Sequence, residues 1–162
     1  MSINCHLKAV DAATAETLAA DPRRAIRNLG SLRGPSFDLH KAWHAIHYVL
    51  TGTPDGGQPP HCYLLEGGIT LGDPDDDYGY GPPRLLRPAE VRAFDSVLQP
   101  INRLSGLRAR FPHSAMVSAG VYSMNDDDEA EDLEFTAEFF KGMRSFVHQA
   151  AQRGDGLVLS MY

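Results

Sequence analysis

The segment from Asp38 to Gly52 reads Asp-Leu-His-Lys-Ala-Trp-His-Ala-Ile-His-Tyr-Val-Leu-Thr-Gly. It contains the only tryptophan of the chain and three of its seven histidines. Apolar side chains recur in it at intervals of three and four residues, the period of an amphipathic helix. The repeating positions are Leu39, Trp43, Ile46 and Leu50. The pattern predicts a helix that buries this stripe and ends at Gly52, because glycine is favoured just after a helix.

The three histidines of this segment share one side of the predicted helix. His40, His44 and His47 fall in an arc of about 60°, centred about 100° from the apolar stripe. Three interpretations fit this placement. The rings could bind backbone or carboxylate groups at the edge of the core. They could form a pocket with an acid–base histidine. Alternatively, two of them could bind a metal together with an aspartate of residues 73–77.

The remaining patterns predict a small sheet that is covered by several helices. Strands are expected at 5–10, 84–86 and 156–162, an extended segment at 121–124, and helices at 12–19, 22–30, 89–98, 105–110, 113–119 and 131–153. The last helix has an apolar stripe at helical spacing, namely Phe135, Phe139, Met143, Phe146 and Ala150. This order predicts an α/β or α+β fold with a small mixed sheet. We expect a single domain over residues 1–162.

The composition points to a globular protein of the cytoplasm. The chain is 43% hydrophobic and 22% charged, which is ordinary for a globular domain. No apolar stretch approaches the roughly 18 residues that span a bilayer, and no signal peptide is recognisable, so we expect no membrane association. Cys5 and Cys62 lie in no CxxC pattern, which favours two reduced thiols.

The net charge of −6 is concentrated in two segments. Residues 73–77 and 126–134 hold 11 of the 21 acidic residues. No cluster of Lys and Arg is interleaved with aromatic residues, so we expect no nucleic-acid binding. The second segment is either a solvated loop or a docking surface for a basic protein partner. Its candidate partner-binding residues are Asp126, Asp127, Asp128 and Glu129.

A second candidate site follows the first acidic segment. Gly79 and Gly81 flank Tyr80, and glycine allows a backbone with positive φ or the close approach of another group. With Tyr78 and Arg84 beside it, this loop could form the lip of a ligand site. The alternative is a tight turn that packs Tyr80 on the core.

Motifs of the common enzymes are absent from the sequence. There is no Gly-x-Ser-x-Gly, no P-loop, no His-Glu-x-x-His and no Cys/His metal spacing. The acidic loop does not fit a calcium loop, because its sixth position is Tyr78 and its twelfth is Arg84. We therefore expect no cofactor and no bound metal, and we favour a protein that is not an enzyme.

The order of motifs resembles one known family. Besides the segment 38–52, the chain contains Gly67-Gly68, Tyr78-Gly79-Tyr80-Gly81-Pro82-Pro83-Arg84 and Leu86-Arg87-Pro88-Ala89-Glu90-Val91. Segments 107–111 and 150–155 fit as well. Together they are similar to the YfbM-like family of uncharacterised bacterial proteins, over nearly the whole chain. The resemblance implies a three-layer α/β fold, and it implies no catalytic residues.

Two functional hypotheses follow. The first is a small acidic protein-interaction module, regulatory or immunity-like and without enzymatic activity, that binds a basic protein. The alternative is a small-ligand-binding protein or enzyme. Its cleft would lie between the Trp43 helix, with His40, His44 and His47, and the loop from Tyr78 to Arg84.

The first prediction concerns metal dependence. The apolar stripes are long enough to form a core without help, and the one group of candidate ligands lies on a single helix. The melting temperature should therefore be the same with and without an excess of chelator. A drop of many degrees on chelation would show that a metal contributes to folding.

Overall fold

The computed structural model describes residues 2–73, 75 and 78–162. The five strands are β1 (Cys5–Val10), β2 (Ser36–Asp38), β3 (Ile69–Thr70), β4 (Arg84–Leu86) and β5 (Gly156–Met161). The α-helices are α1 (Ala12–Ala20), α2 (Pro22–Ala25), α3 (Trp43–Thr51), α4 (Pro88–Leu98), α5 (Leu104–Arg108), α6 (His113–Ser118) and α7 (Glu129–Arg153). Short 3-10 turns occur at Ile26–Ser31 and His40–Ala42.

The strands form one sheet in the order β2-β1-β5-β4-β3. This confirms the predicted fold class, a single domain in which helices cover a small sheet. Each pairing in the described part of the chain is antiparallel, where the sequence predicts a mixed sheet. The long, helix-rich connections can return the chain in either direction, so the sequence pattern alone does not determine strand direction.

The first and last strands are neighbours at the centre of the sheet. β1 and β5 pair over their full length, from Cys5 opposite Met161 to Val10 opposite Gly156. Backbone hydrogen bonds between Asn4 and Tyr162 extend this pairing by one step, at 2.8 and 3.1 Å. β5 therefore joins two strand pairs, β2-β1 on one side and β4-β3 on the other.

Alternation along the strands separates two apolar layers. On one face, Leu7, Leu86 and Leu157 belong to the main core with α3, α4 and α7. On the other face, Val10, Leu85 and Val158 pack with α1 and α2. Helices therefore lie on both faces of the sheet, which gives three layers.

The helix predicted over residues 38–52 begins later than expected. Asp38 ends β2, and its Oδ1 accepts the backbone N–H of His40 at 2.7 Å. His40 has a φ of +46°, so the chain turns there and the regular helix starts only at Trp43. The predicted end is correct, since Gly52 is left-handed with a φ of +76°.

The buried stripe of α7 differs from the predicted one. Met143 and Ala150 are buried as expected, but Phe135, Phe139 and Phe146 are only half-buried. The remaining buried positions are Leu133, Thr136, Phe140 and Val147. The prediction was wrong here because α7 is apolar on two sides, and periodicity alone does not say which side meets the sheet.

The three half-buried phenylalanines cover the flank of the sheet at β2. Phe146 stacks on Phe37 with ring centroids 6.0 Å apart, and Phe139 contacts Phe135 at 4.8 Å. On α7, Gly142 lies between Phe139 and Phe146, and a Cβ at this position would overlap the Phe37 ring. A glycine inside a helix costs about 1 kcal/mol relative to alanine, and here it allows β2 to pack directly on α7.

Two further expectations from the sequence have different outcomes. Residues 121–124, predicted as extended, form turns instead. Pro74, Asp76 and Asp77 of the first acidic segment lie outside the described residues. No helix in the described part of the chain is both long and apolar enough to cross a membrane.

The two sides of α7 give a matched test. Phe140→Ala should lower the free energy of unfolding by about 3–5 kcal/mol, because this side chain is only 3% exposed and its removal leaves a cavity. Phe135→Ala removes the same side chain from a half-exposed site on the same helix. Its cost should be less than half as large in urea melts. Equal losses would mean that both sides of α7 are equally buried in solution.

Candidate functional site

A groove of about 930 Å³ lies between the first half of α7 and residues 101–108. Its floor is apolar and comes from both walls. The floor residues are Leu104, Leu107, Leu133, Ala137 and Phe140. Leu104 is 51% exposed, which is unusual for a leucine beside a core. The groove thus has the apolar lining that is typical of a binding site.

The groove results from a difference in length between neighbouring elements. α7 has 25 residues and is about 37 Å long, whereas the six-residue central strands extend only about 20 Å. Near its C-terminal half α7 packs on α4, where Asp95 meets His148 and Gln99 meets Arg144. Near its N-terminal half it faces the five-residue α5, which is too short to cover it.

Charged side chains line the rim of the groove. α7 contributes three glutamates and then two cations, while the opposite wall contributes two arginines. They are Glu129, Glu134, Glu138, Lys141, Arg144, Arg103 and Arg108. Among the described residues, the ion pairs are elsewhere, so these charges do not neutralise one another by direct contact. They remain available to a partner.

Arg144 closes the cationic end of the groove. Its Nη2 donates to the Gln99 carbonyl at 2.8 Å, which ties α7 to the end of α4. Its Nε is buried and has no hydrogen-bond acceptor among the described residues. A buried N–H without an acceptor is costly, so this placement of Arg144 carries an energetic penalty.

The acidic segment lies at the other end of the groove. Asp126, Asp127, Asp128 and Glu129 are all exposed, and Glu129 lines the groove itself. Asp128 caps α7 by accepting the backbone N–H of Glu131 at 2.9 Å. The four predicted partner-binding residues therefore continue directly into the groove.

One acid of this segment has a structural role. Asp132 accepts from the His113 ring at 2.9 Å, and both side chains are largely buried. The same carboxylate receives the backbone N–H of Asn125 at 3.4 Å. This contact attaches the start of α7 to α6. The acidic residues that precede Asp132 are therefore anchored at that end.

The three histidines of the Trp43 segment separate in the structure. His40 precedes the helix, and its exposed ring contacts the edge of Phe139 at 5.3 Å. His44 stacks on Trp43 at 4.7 Å, and Trp43 in turn stacks on Tyr122 at 5.8 Å. Because His40 lies outside the helix, the rings do not form one continuous stripe.

Two hydrogen bonds fix the tautomer of His44. Its Nδ1 accepts the backbone N–H of Tyr122 at 2.8 Å, so this nitrogen carries no proton. Its Nε2 lies 2.9 Å from the Pro54 carbonyl and must donate to it. A ring held in this way connects α3 to two loops, and both of its nitrogens are already occupied.

His47 is the most unusual of the three, because it is 0% exposed. Neither ring nitrogen makes a hydrogen bond of good geometry with a described residue. Burial is the main cause that lowers the pKa of His47 to about 4, and the nearby His44 ring contributes in the same direction. Glu66, the Gly56 backbone and Asp55 act weakly in the opposite direction. The ring is therefore neutral at physiological pH.

The Tyr78–Arg84 segment forms contacts of its own. The Arg84 guanidinium donates to the carbonyls of Tyr63, Leu64 and Gly67 at 3.2, 2.7 and 2.9 Å. The Tyr78 hydroxyl accepts the backbone N–H of Asp73 at 2.8 Å. These contacts hold the turn at residues 63–67 against β4.

Tyr80 is different from its neighbours. It is 46% exposed, and it lies between Gly79 and Gly81, which both have positive φ. Its ring is therefore available at the surface. Both glycines have the positive φ that glycine was expected to allow at these positions.

The two halves of the predicted cleft meet at residues 63–67. Arg84 binds the carbonyls of this turn. Burial lowers the pKa of both Arg84 and His47, and the Glu66 charge opposes this shift in both groups. Glu66 also accepts the backbone N–H of Gly56 at 3.0 Å, which connects the turn to the loop after α3. His40 and Tyr80 take no part in these hydrogen bonds.

Neither cysteine is a ready nucleophile. Both thiols are free and buried. Burial raises the pKa of Cys5 to about 12 and also raises that of Cys62. Within the described residues, no group of three or more His, Cys, Asp and Glu side chains is arranged to hold a metal ion.

A smaller cavity of about 370 Å³ lies beside α2. It is lined by Asp21, Arg23, Arg24, Ile26, Arg27 and Asp73. Its walls are mainly exposed charged side chains. It lacks the apolar floor of the larger groove.

Sequence reasoning missed the larger groove, although one signal was present. On α7 the residues Ala130, Leu133, Ala137 and Phe140 follow a spacing of three, four and three. This is the heptad spacing of a helix that packs against another helix. The stronger phenylalanine stripe on the same helix concealed it.

The chain matches known proteins over its whole length. A family model described as "Domain of unknown function (DUF1877)" matches residues 1–160. Among solved structures, the chain is similar to YfbM from Escherichia coli, a protein of unknown function, with a TM-score of 0.72 and 19% identity. That match covers 100% of both chains. At this identity the likeness shows a shared fold and nothing more. No curated protein matches the sequence.

His47 generates a prediction about pH. Its pKa is about 4 in the folded protein and 6.5 ordinarily, so the unfolded chain binds a proton first as the pH falls. The contribution of the neutral His47 ring to the free energy of unfolding is fully present above pH 6.5. It is lost as the pH falls from 6.5 to about 4. The loss should be about 3 kcal/mol.

The measurement compares wild type with His47→Leu in urea melts at several pH values. Subtracting the two series cancels the other titrating groups. Relative to the variant, the wild type should lose stability as the pH falls through this window. A difference that stays flat from pH 8 to pH 4 would show that folding does not lower the pKa of His47.

Proposed function

The chain belongs to the DUF1877 family, domains of unknown function, and on that premise we propose that it is a small protein-interaction module and not an enzyme. Its binding surface is the groove between α7 and residues 101–108, together with the acidic residues before it. The partner is a basic protein that the module regulates or neutralises. A cytoplasmic location accompanies this proposal, since both cysteines are unpaired.

One observation carries the proposal. An apolar groove of about 930 Å³ ends at four exposed acids, which pair with no described cation. Exposed apolar area next to unpaired charge is typical of surfaces that bind a macromolecule. Burying a leucine side chain such as Leu104 contributes about 1–2 kcal/mol to association.

The acidic residues would act mainly on the rate of association. Charges at the rim of an interface attract an oppositely charged partner before contact and change the dissociation rate little. Salt screens this attraction over about 8 Å at physiological ionic strength. The groove then supplies the short-range contacts that set the lifetime of the complex.

A small-ligand site is the second candidate function. The observation that favours it is His47, a neutral ring with both nitrogens buried and no good hydrogen bond to a described residue. A ligand between α3 and the Tyr78–Arg84 loop would have to reach this ring past residues 52–66. Arg84 and His44 are already bound to backbone groups, so they would contribute to orientation and not to chemistry.

The test uses a synthetic helical peptide with a leucine stripe and lysines as the probe. Replacing Asp126, Asp127 and Asp128 with Asn should leave the melting temperature nearly unchanged, because Asn caps a helix about as well as Asp. It should slow association several-fold at low salt and flatten the salt dependence. Stopped-flow fluorescence across a salt series measures both.

A matched variant removes the same charge elsewhere. Glu16→Gln, Asp55→Asn and Asp75→Asn together neutralise three exposed acids outside the groove, and they should not alter association. Leu104→Glu should weaken binding, because it places a charge on the apolar floor. An association rate that is unchanged in the Asn variant across the salt series would refute the role of the acidic residues.

A further inference from the structure

We propose that the groove receives an amphipathic α-helix of about four turns that lies antiparallel to α7. The N-terminal half of this helix is acidic and meets Lys141 and Arg144. Its C-terminal half is basic and meets Glu129 and Glu134. This inference rests on the proposed interaction module and specifies what kind of partner segment the module binds.

The length of the groove sets the length of the occupant. Along α7 the lining runs from Glu129 to Arg144. At 1.5 Å per residue this distance is about 22 Å, or four helical turns. A helix of about 15 residues therefore fills the groove from end to end. A shorter segment would leave part of the apolar floor exposed.

The surface of α7 favours a helix over other shapes. Ala130, Leu133, Ala137 and Phe140 form a heptad seam that faces the groove. Small alanines alternate with large residues in this seam, so the side chains of a second helix can insert between Leu133 and Phe140. Leu104 of the opposite wall is half-exposed and offers a third apolar contact to the helix that occupies the groove.

The charges along α7 give the occupant a direction. Glu129 and Glu134 come first, and Lys141 and Arg144 follow, so the sign changes once along the groove. A complementary helix is basic near Glu129 and acidic near Arg144. Side chains on a helix are most stable with acids near its N-terminus and bases near its C-terminus. The occupant satisfies both conditions only if it runs antiparallel to α7.

The remaining cations of the groove favour acidic residues on the occupant. Arg144 lines this end of the groove, and an acidic side chain of the occupant can pair with its positive charge. Arg103 and Arg108 are the charges of the opposite wall. The flank of the occupant that faces this wall is accordingly acidic, so a uniformly basic helix fits less well.

The test uses four synthetic helices that share one leucine and alanine stripe and are stapled to equal helicity. One has an acidic N-terminal half and a basic C-terminal half, and a second has the reverse order. A third is uniformly basic and a fourth uniformly acidic. Fluorescence anisotropy should show that the first binds about tenfold tighter than the uniform peptides, since each exposed ion pair contributes a factor of about two or more.

A variant of the protein provides the matched control for charge order. Glu134→Lys combined with Lys141→Glu reverses the gradient, keeps the net charge, and changes only exposed side chains. It should lower the affinity for the first peptide and raise that for the reversed one. The pair Glu16→Lys and Arg92→Glu makes an equivalent exchange outside the groove. It should change neither affinity.

Direction is measured separately. A nitroxide at the N-terminus of the first peptide should broaden the amide signals around Arg144 and leave those around Glu129 sharp. The opposite pattern would refute the antiparallel arrangement.

The remaining outcomes separate this inference from the proposed function. If the uniformly basic peptide binds as tightly as the first and the exchange variant changes nothing, the inference is wrong and the interaction module stands. If no peptide binds, or if Leu104→Glu leaves every affinity unchanged, both are wrong. If the chain itself is a dimer that Leu104→Glu disrupts, the occupant is a second copy and the inference is wrong.

Discussion

The burial of α7 is the constraint on which most of the molecule depends. Its inner side, with Phe140, Met143 and Val147, packs in the main core with the sheet residues and with α4. Because α7 is longer than the strands, its first half continues past the sheet and needs cover from elsewhere. Residues 101–108 supply only part of that cover. The groove is thus a direct result of one long helix beside short neighbours, and its charges lie where α7 leaves the core.

The contacts of the histidine segment assign structural roles to residues that the sequence marks as chemical candidates. Both ring nitrogens of His44 are hydrogen-bonded to backbone groups, and the Arg84 guanidinium donates to three backbone carbonyls. Trp43 is 9% exposed and donates its indole N–H to the Ile3 carbonyl at 2.9 Å. These contacts join α3 to the beginning of the chain and to the loops around it. Of the candidate residues, His40, His47 and Tyr80 keep polar groups or surface that these contacts do not account for.

Local signals in the sequence predicted the local structure well. The helix predicted at 12–19 is present as α1, where Asp11 accepts from the Thr14 N–H, and Gly52 ends α3 as predicted. Of the features that failed, one depends on a neighbouring side chain and the others depend on distant residues. The turn at His40 is set by the Asp38 carboxylate, and the inner side of α7 is set by its neighbours in the fold. The groove could not be predicted for the same reason, since it requires two segments that meet only after folding, although the acidic residues at its end were identified.

The central position of β5 has a consequence for synthesis. The sheet is continuous only when residues 156–161 pair with both β1 and β4. During translation these residues leave the ribosome after the other four strands, so the nascent chain holds two separate strand pairs and an unclosed core until then. Until then one edge of β1 is unpaired, because its partner strand β5 lies about 150 positions later in the chain. A chaperone that covers this edge would find its strongest substrate in the nascent chain, and stalled translation shortly before residue 156 would produce an aggregation-prone species.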